Sequence, residues 1–266
     1  MKLDEIKKTV HPKHLKTEIQ PYMLQTKEEI EAWMKKLGIE GFVSRELTIH
    51  STRQNIDVVR FGIKKEDILI NHNGKWVLPV QFHLAGKFDI NMVEVESPIG
   101  FPYVIMEQLN AKETKFETFE GLPNVVPIID GSSTVRMKSF AGLDKTTCNK
   151  LNWSCKAGID SLDGLPKNLE QFMGSIEDST IDVKDIFARC PDLEALAIGG
   201  DGLKLKNILT VFKFKKLDYF YLRPGHTSNE QAKQAKDIIE KYLKGDRNVI
   251  ACQEELFKND LDDFAV

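Results

Sequence analysis

Cysteine is scarce. Cys148, Cys155, Cys190 and Cys252 are the four in 266 residues, and no two stand as C-x-x-C. Neither a disulfide framework nor a zinc ribbon is expected, and the usage suits a reducing cytoplasm. Long apolar runs are missing too: none approaches the ~18 residues that a membrane-spanning helix needs. The opening MKLDEIKKTVHPKHLK has no apolar stretch and no small-residue cleavage site, so no secretory signal is expected. An excess of one charge is absent, since the net charge of −3 implies no general affinity for nucleic acid. The patterns GxxxxGK[ST], HExxH, GxSxG and GxGxxG do not occur. Phosphate-loop, zincin, serine-hydrolase and dinucleotide chemistry therefore lack support. What remains is ordinary: 41% hydrophobic and 29% charged residues leave room for one large ordered core or two smaller ones.

Against that background a repeat stands out. Val95-Glu96-Ser97-Pro98-Ile99-Gly100-Phe101-Pro102 aligns with Phe116-Glu117-Thr118-Phe119-Glu120-Gly121-Leu122-Pro123. Two more copies follow, Met137-Lys138-Ser139-Phe140-Ala141-Gly142-Leu143-Asp144 and Ile159-Asp160-Ser161-Leu162-Asp163-Gly164-Leu165-Pro166. The glycines step by 21, 21 and 22 residues. The shared pattern is apolar-x-[Ser/Thr]-x-x-Gly-apolar-[Pro/Asp], and its period lies in the leucine-rich-repeat range. Beyond residue 166 the motif fades but a period of 24 persists in Leu169, Leu193 and Leu217. Each opens a short apolar run. The last two runs alternate like strands, with Leu196, Ile198, Phe220 and Leu222 facing inward. Val183 to Cys190 reads as a short return helix, capped by Asp182 and stopped by Pro191.

One strand and one return segment cannot bury an apolar face alone, so such units must stack. Phe119, Phe140, Leu162, Ile186 and Ile208 are expected to line an internal column. The repeat glycines are expected to serve a tight turn or a close backbone approach. The expected fold is α/β: a leucine-rich-repeat-like curved solenoid with parallel strands. Residues 1–77 would form an N-terminal cap of helix plus short strands, 78–223 the solenoid, and 224–266 a C-terminal helical cap with an acidic tail. In the first cap, Thr26 and Glu29 form a capping box opening a helix to about Leu37, with Ile30, Trp33 and Met34 on one face and Gly38 as its stop. In the last, Thr227 and Glu230 are expected to open a helix striped by Ala232, Ala235, Ile238, Ile239, Tyr242 and Leu243 and closed by Gly245.

The run Leu78-Pro79-Val80-Gln81-Phe82, then Gly86-Lys87-Phe88-Asp89-Ile90, then Glu96-Ser97-Pro98-Ile99-Gly100-Phe101-Pro102 resembles leucine-rich-repeat proteins of large tailed bacteriophages. Their LP-x-x-F … G-x-F-x-x entry precedes tandem L-x-S-L-x-G-x-P units. The resemblance spans roughly residues 25–170, including the Ile56-Asp57-Val58 segment and the Trp33 helix. The chain departs from it at Asp144, where proline is lost, and in the longer repeats after residue 170. The resemblance carries no activity with it. It implies a phage protein acting by binding in the infected cell's cytoplasm.

Site candidates follow from residue type and position. On the last strand, Tyr219, Tyr221 and Arg223 fall on outward positions, with Gln171 and Met173 a repeat or two away. Tyrosine and arginine are favoured at binding hot spots, whereas packing under the C-terminal helix is the other reading of the tyrosines. Lys204, Lys206, Lys213, Lys215 and Lys216, interleaved with Phe212 and Phe214, would form either a phosphate-binding patch or a solvated outer face. The tail from Gln253 carries five acids against one lysine, punctuated by Leu256, Phe257, Leu261 and Phe264. It reads as an amphipathic cap or a docking peptide.

The remaining features favour structure over chemistry. Ile198-Gly199-Gly200-Asp201-Gly202 reads as a turn rather than an anion cradle. Cys148 and Cys155 read as small buried thiols rather than a redox pair. Asp160 and Asp163 read as turn formers, and His11 and His14 as a solvated segment rather than a metal site. No enzyme, cofactor or metal is expected. The expected function is non-enzymatic capture of a host protein, as an anti-defence inhibitor or a host-takeover factor. A nucleic-acid-associated role or a virion or assembly component is the alternative.

Overall fold

The computed structural model describes residues 21–52, 55–58, 62–134, 137–155, 158–225 and 228–265. Its centre is an eight-stranded sheet made of β1 (Asn55–Asp57), β2 (Leu84–Asp89), β3 (Val104–Asn110), β4 (Ile128–Thr134), β5 (Lys150–Cys155), β6 (Gln171–Ile176), β7 (Ala195–Gly199) and β8 (Tyr219–Arg223). Spatial order equals chain order, and every pairing is parallel. The sheet is open, so the architecture is mixed α/β around one large parallel sheet.

Register explains which residues the sheet buries. Ile56, Phe88, Leu109, Ile129, Leu151, Phe172, Leu196 and Phe220 are paired from strand to strand across all eight. All are buried. Period-two alternation then sends the next position outward. The expected inward placement of Leu196, Ile198, Phe220 and Leu222 agrees with their burial. The strands themselves start later than expected. Leu169 and Leu193 sit at corners, their amides donating to the carbonyls of Pro166 and Cys190, and strand pairing begins two residues on.

The repeat motif forms the corner before each strand. In all four copies the glycine has a left-handed φ: +86° at Gly100, +95° at Gly121, +92° at Gly142 and +92° at Gly164. The amides of Phe101, Leu122, Leu143 and Leu165 donate to the carbonyls three residues back, at 3.1, 3.1, 3.0 and 3.2 Å. These are type II turns, which need φ > 0 at their third residue. Thr118, Ser139 and Ser161 each accept from the amide two residues ahead, at 3.1, 3.3 and 2.9 Å, so the hydroxyl position primes the turn. Phe119 and Phe140 stack with centroids 6.3 Å apart, and Leu162, Ile186 and Ile208 are buried.

Helices flank the sheet. The helix α1 (Lys27–Leu37) has the Thr26–Glu29 capping box, buries Ile30, Trp33, Met34 and Leu37, and ends at Gly38 with φ +67°. Trp33 Nε1 donates to Ile68 O at 3.1 Å, which ties the helix to the body. Two small sheets lie nearby. Gly41–Val43 pairs with Thr48–Ser51, which pairs with Gln81–Phe82, and Ile70–His72 forms a hairpin with Lys75–Val77. β1, one of the short strands of the first 77 residues, pairs with β2 and so forms the edge of the large sheet.

Between β6 and β7 runs α2 (Val183–Arg189), capped by Asp182 through a 2.8 Å bond from Lys184 N. At the far end α3 (Asn229–Lys244) opens at Ser228 with Gln231 as its box partner, one position after the expected pair, and Thr227 lies outside the described residues. α4 (Val249–Lys258) follows. Leu256, Leu261 and Phe264 are buried in the same core as the sheet, while Phe257 is exposed. The tail is thus a packed cap. Of the four residues considered for docking, three are spent on the core: α3 packs against β8, and α4 packs against α3 and the Ile208–Lys213 turn.

Candidate functional site

The outward faces of β6, β7 and β8 form a trough. Three rows cross it in register: Gln171–Ala195–Tyr219, Met173–Ala197–Tyr221 and Ser175–Gly199–Arg223. Every outward position of β7 is Ala or Gly, whereas its neighbours carry longer side chains. A strand of small residues between two strands of large ones is a groove by construction. An open cavity of about 390 Å³ lies there, with Met173, Ser175, Ala197, Gly199, Tyr221 and Arg223 among its walls and Asn152 of β5 beyond. Tyr219 is 49% exposed, so it is not packed under α3, whereas Tyr221 is half-buried; Met173 is 38% exposed.

The end of the trough is shaped by the turn after β7. A Cβ on Gly200 would lie 2.0 Å from the Ile176 carbonyl oxygen, so the chain passes against β6 only as glycine. Leu203 N donates to Gly200 O, and Asp201 O accepts from Asp178 N at 2.9 Å. The Gly199–Gly202 stretch thus turns the chain out of β7. Glu177 and Asp201 stand at this end, and Asp201 Oδ1 lies 3.8 Å from Arg223 Nη2. At the opposite end Glu170, Glu194 and Asp218 precede the three strands, linked by Glu194 N to Glu170 O at 2.8 Å and Asp218 N to Glu194 O at 2.9 Å. The arrangement offers an apolar, aromatic-walled floor with carboxylates at both ends.

Of the expected site residues, the structure brings Met173, Tyr221 and Arg223 together around one groove and sets Gln171 and Tyr219 in the adjoining row. Sequence reading missed the floor, Ala195, Ala197 and Gly199. The alternation in Leu193–Ile198 leaves Ala195 and Ala197 outward and Gly199 reads as part of the turn, but their meaning as a floor depends on what flanks them. The five lysines are exposed, and Lys216 pairs with Asp192 at 3.2 Å. Phe212 and Phe214 are buried, the latter edge-on to Phe187, so these aromatics offer no stacking platform for bases.

The thiols of Cys148, Cys190 and Cys252 are buried, and the side chain of Cys155 lies outside the described residues. Burial pushes Cys148 and Cys190 up to about 12 and Cys252 to about 11. That leaves no thiolate for a redox role at Cys148. Asp163 accepts from Arg189, and hydrogen bonds from Ser161 and then Arg189 hold its carboxyl below the usual range. It is a turn residue with a structural ion pair. His11 and His14 lie outside the described residues. Among the described residues no group of three metal-ligating side chains comes together, and no helix is long and apolar enough to cross a membrane.

A second cluster was not anticipated. Phe42, His50, His83 and Tyr103 form a ring stripe, with centroid separations of 5.0, 4.6 and 6.2 Å in turn. Tyr103 Oη donates to Gln81 Oε1 at 2.9 Å. Partial burial, and then the neighbouring His50, hold the His83 imidazole below its ordinary value. A histidine whose folded pKa is depressed contributes stability that is complete above its unfolded value and lost as pH falls through the folded one. Between pH ~7.5 and ~5.5 the folded protein is therefore expected to lose stability, and His83→Phe to flatten that slope. Urea denaturation at the two pH values checks this, and equal slopes in both proteins would contradict it.

Comparison with known protein families, curated proteins and solved structures returns no match.

Proposed function

We propose that the chain is a leucine-rich-repeat-like solenoid that works without catalysis, by holding a segment of a partner protein on the outward face of β6–β8. The observation that carries this reading is the trough itself. Ala195, Ala197 and Gly199 leave a floor empty between Met173 on one wall and Tyr221 on the other. Stacked-repeat proteins present extended recognition surfaces of this kind on their strand faces. Exposed tyrosine beside arginine supplies the residue types that dominate binding energy. The four-fold type II corner and in-register strands support the repeat reading.

The resemblance of residues 25–170 to phage leucine-rich-repeat proteins supplies the setting. In that reading the protein is phage-encoded, sits in the host cytoplasm and captures a host protein, as an anti-defence inhibitor or a host-takeover factor. The test uses Tyr219→Ala combined with Tyr221→Ala. Tyr219 is exposed and Tyr221 half-buried on the open face, so the double variant is expected to stay folded with at most a small fall in melting temperature. Partner recovery from infected-cell lysate is expected to fall by about tenfold or more, the loss of about 1.4 kcal/mol or more of binding. Unchanged recovery by a normally folded double variant would remove this face.

A further inference from the structure

We infer that the β7 trough receives an extended polypeptide segment, apolar at one position and basic two to four residues away. This rests on the reading of β6–β8 as the binding face and specifies its occupant.

Width selects the conformation. The walls stand one strand away on either side of the floor, so β6 and β8 are about 10 Å apart, before the Met173 and Tyr221 side chains narrow the gap. A helix with its side chains is about 10–12 Å across and does not descend between them. An extended chain does. Its length also matches: the three floor positions span about 13 Å, a run of roughly four extended residues. The cavity is open along its top, whereas small-molecule sites bury most of the ligand's surface.

Charge selects the sequence. Glu177 and Asp201 line the end of the trough, and the Asp201 side chain is 88% exposed. Glu194 and Asp218, both exposed, stand where β7 and β8 begin. Against these carboxylates the wall contributes the Arg223 guanidinium, which lies 3.8 Å from Asp201. The field over the trough favours a cation, and complementary charge both steers and orients an incoming segment. The Met173–Ala197–Tyr221 row takes the apolar side chain, the guanidinium or ammonium reaches Glu177 and Asp201, and the spacing follows from the strand rise. An acidic segment would meet repulsion from both ends.

The probe is a displayed library of random linear peptides, about a dozen residues long, selected on the purified full chain. Selected peptides are then synthesised and titrated against three proteins: wild type, Ala197→Trp, which fills the floor, and the double variant Glu177→Lys with Asp201→Lys. Selection is expected to enrich Leu, Ile or Met followed or preceded within four residues by Lys or Arg. Affinity is expected to fall about tenfold or more in Ala197→Trp and again in the lysine variant, with wild-type binding weakened by salt. Peptides that lose binding in Ala197→Trp but carry no basic residue would overturn the basic occupant and leave the groove reading intact. Peptides indifferent to Ala197→Trp, or no selected peptide at all, would overturn both. Thermal melts of the variants confirm folding, and the lysine variant changes solvent-facing groups, so it remains informative if tryptophan at 197 perturbs the sheet.

Discussion

Trp153→Ala is expected to destabilise the protein by about 3–5 kcal/mol, the range for removing a large buried aromatic. Trp153 is fully buried on β5 at the middle of the large sheet. Its ring stacks on Phe116 at 6.3 Å and meets Phe119 edge-on at 4.7 Å, so it joins the repeat corners to the strands. Its neighbours in register are glycines on both sides, Gly131 and Gly174. A Cβ on Gly131 would fall 1.8 Å from the indole Cζ3, so the ring occupies the place where that side chain would be. Trp153 Nε1 has no hydrogen-bond partner, so the ring contributes through packing. Trp153→Phe sheds an unsatisfied donor while keeping an aromatic, and is expected to cost less than the alanine variant. Gly131→Ala alone is expected to cost about 1–3 kcal/mol by overpacking, and less in the Trp153→Phe background. Urea denaturation followed by circular dichroism reads the wild type and all four variants. A Trp153→Ala cost under about 1 kcal/mol would contradict this account of the core.

The second large effect separates two reasons for a glycine. Gly164→Ala is expected to cost well over the backbone penalty of about 1–3 kcal/mol for a left-handed residue, because its Cβ would lie 1.9 Å from the Phe140 carbonyl oxygen. Gly121 shares the conformation, at φ +95°, but its nearest neighbour would be Pro98 Cβ at 3.9 Å. Gly121→Ala therefore bears the backbone penalty without the collision. The two variants differ in the same motif position, so the difference measures how tightly one corner lies on the one before it. Equal costs would mean that the turn alone, and not the close stacking of corners, requires glycine at 164. A smaller cost for Gly164→Ala would contradict the register of the corners.

Much of the fold was legible because local chemistry and tertiary placement agree. The Thr26–Glu29 box, the Gly38 stop, the Asp182 cap and the repeat glycines each act within a few residues of themselves. Lys150 to Cys155 alternates cleanly, but so short a run between the repeat corners becomes a strand only through its pairing with β4 and β6. Val104 to Asn110 hides its period behind consecutive apolar residues at Val104, Ile105 and Met106, and its strand is set by pairing with β2 and β4. Asn73-Gly74, both at positive φ, is the strong local signal for the hairpin that joins Ile70–His72 to Lys75–Val77. The tail left two readings open, because five acids among apolar residues suit both a cap and a docking peptide. The burial of Leu256, Leu261 and Phe264 favours the cap. The groove was only half legible. Tyr219, Tyr221 and Met173 announce themselves by type, but Ala195, Ala197 and Gly199 become a floor only once β6 and β8 are placed beside them. The ring stripe joins residues 42, 50, 83 and 103 through pairings that no local pattern specifies.

Site-specific photo-crosslinking tests the central claim most directly. On the proposed phage setting, a benzophenone side chain placed at Tyr221 or at Met173, in protein expressed in infected cells, is expected to trap the same partner. At Glu120, on a repeat corner away from the trough, it is expected to trap none. A partner trapped from position 120 and not from 221 or 173 would contradict the assignment of the β6–β8 face.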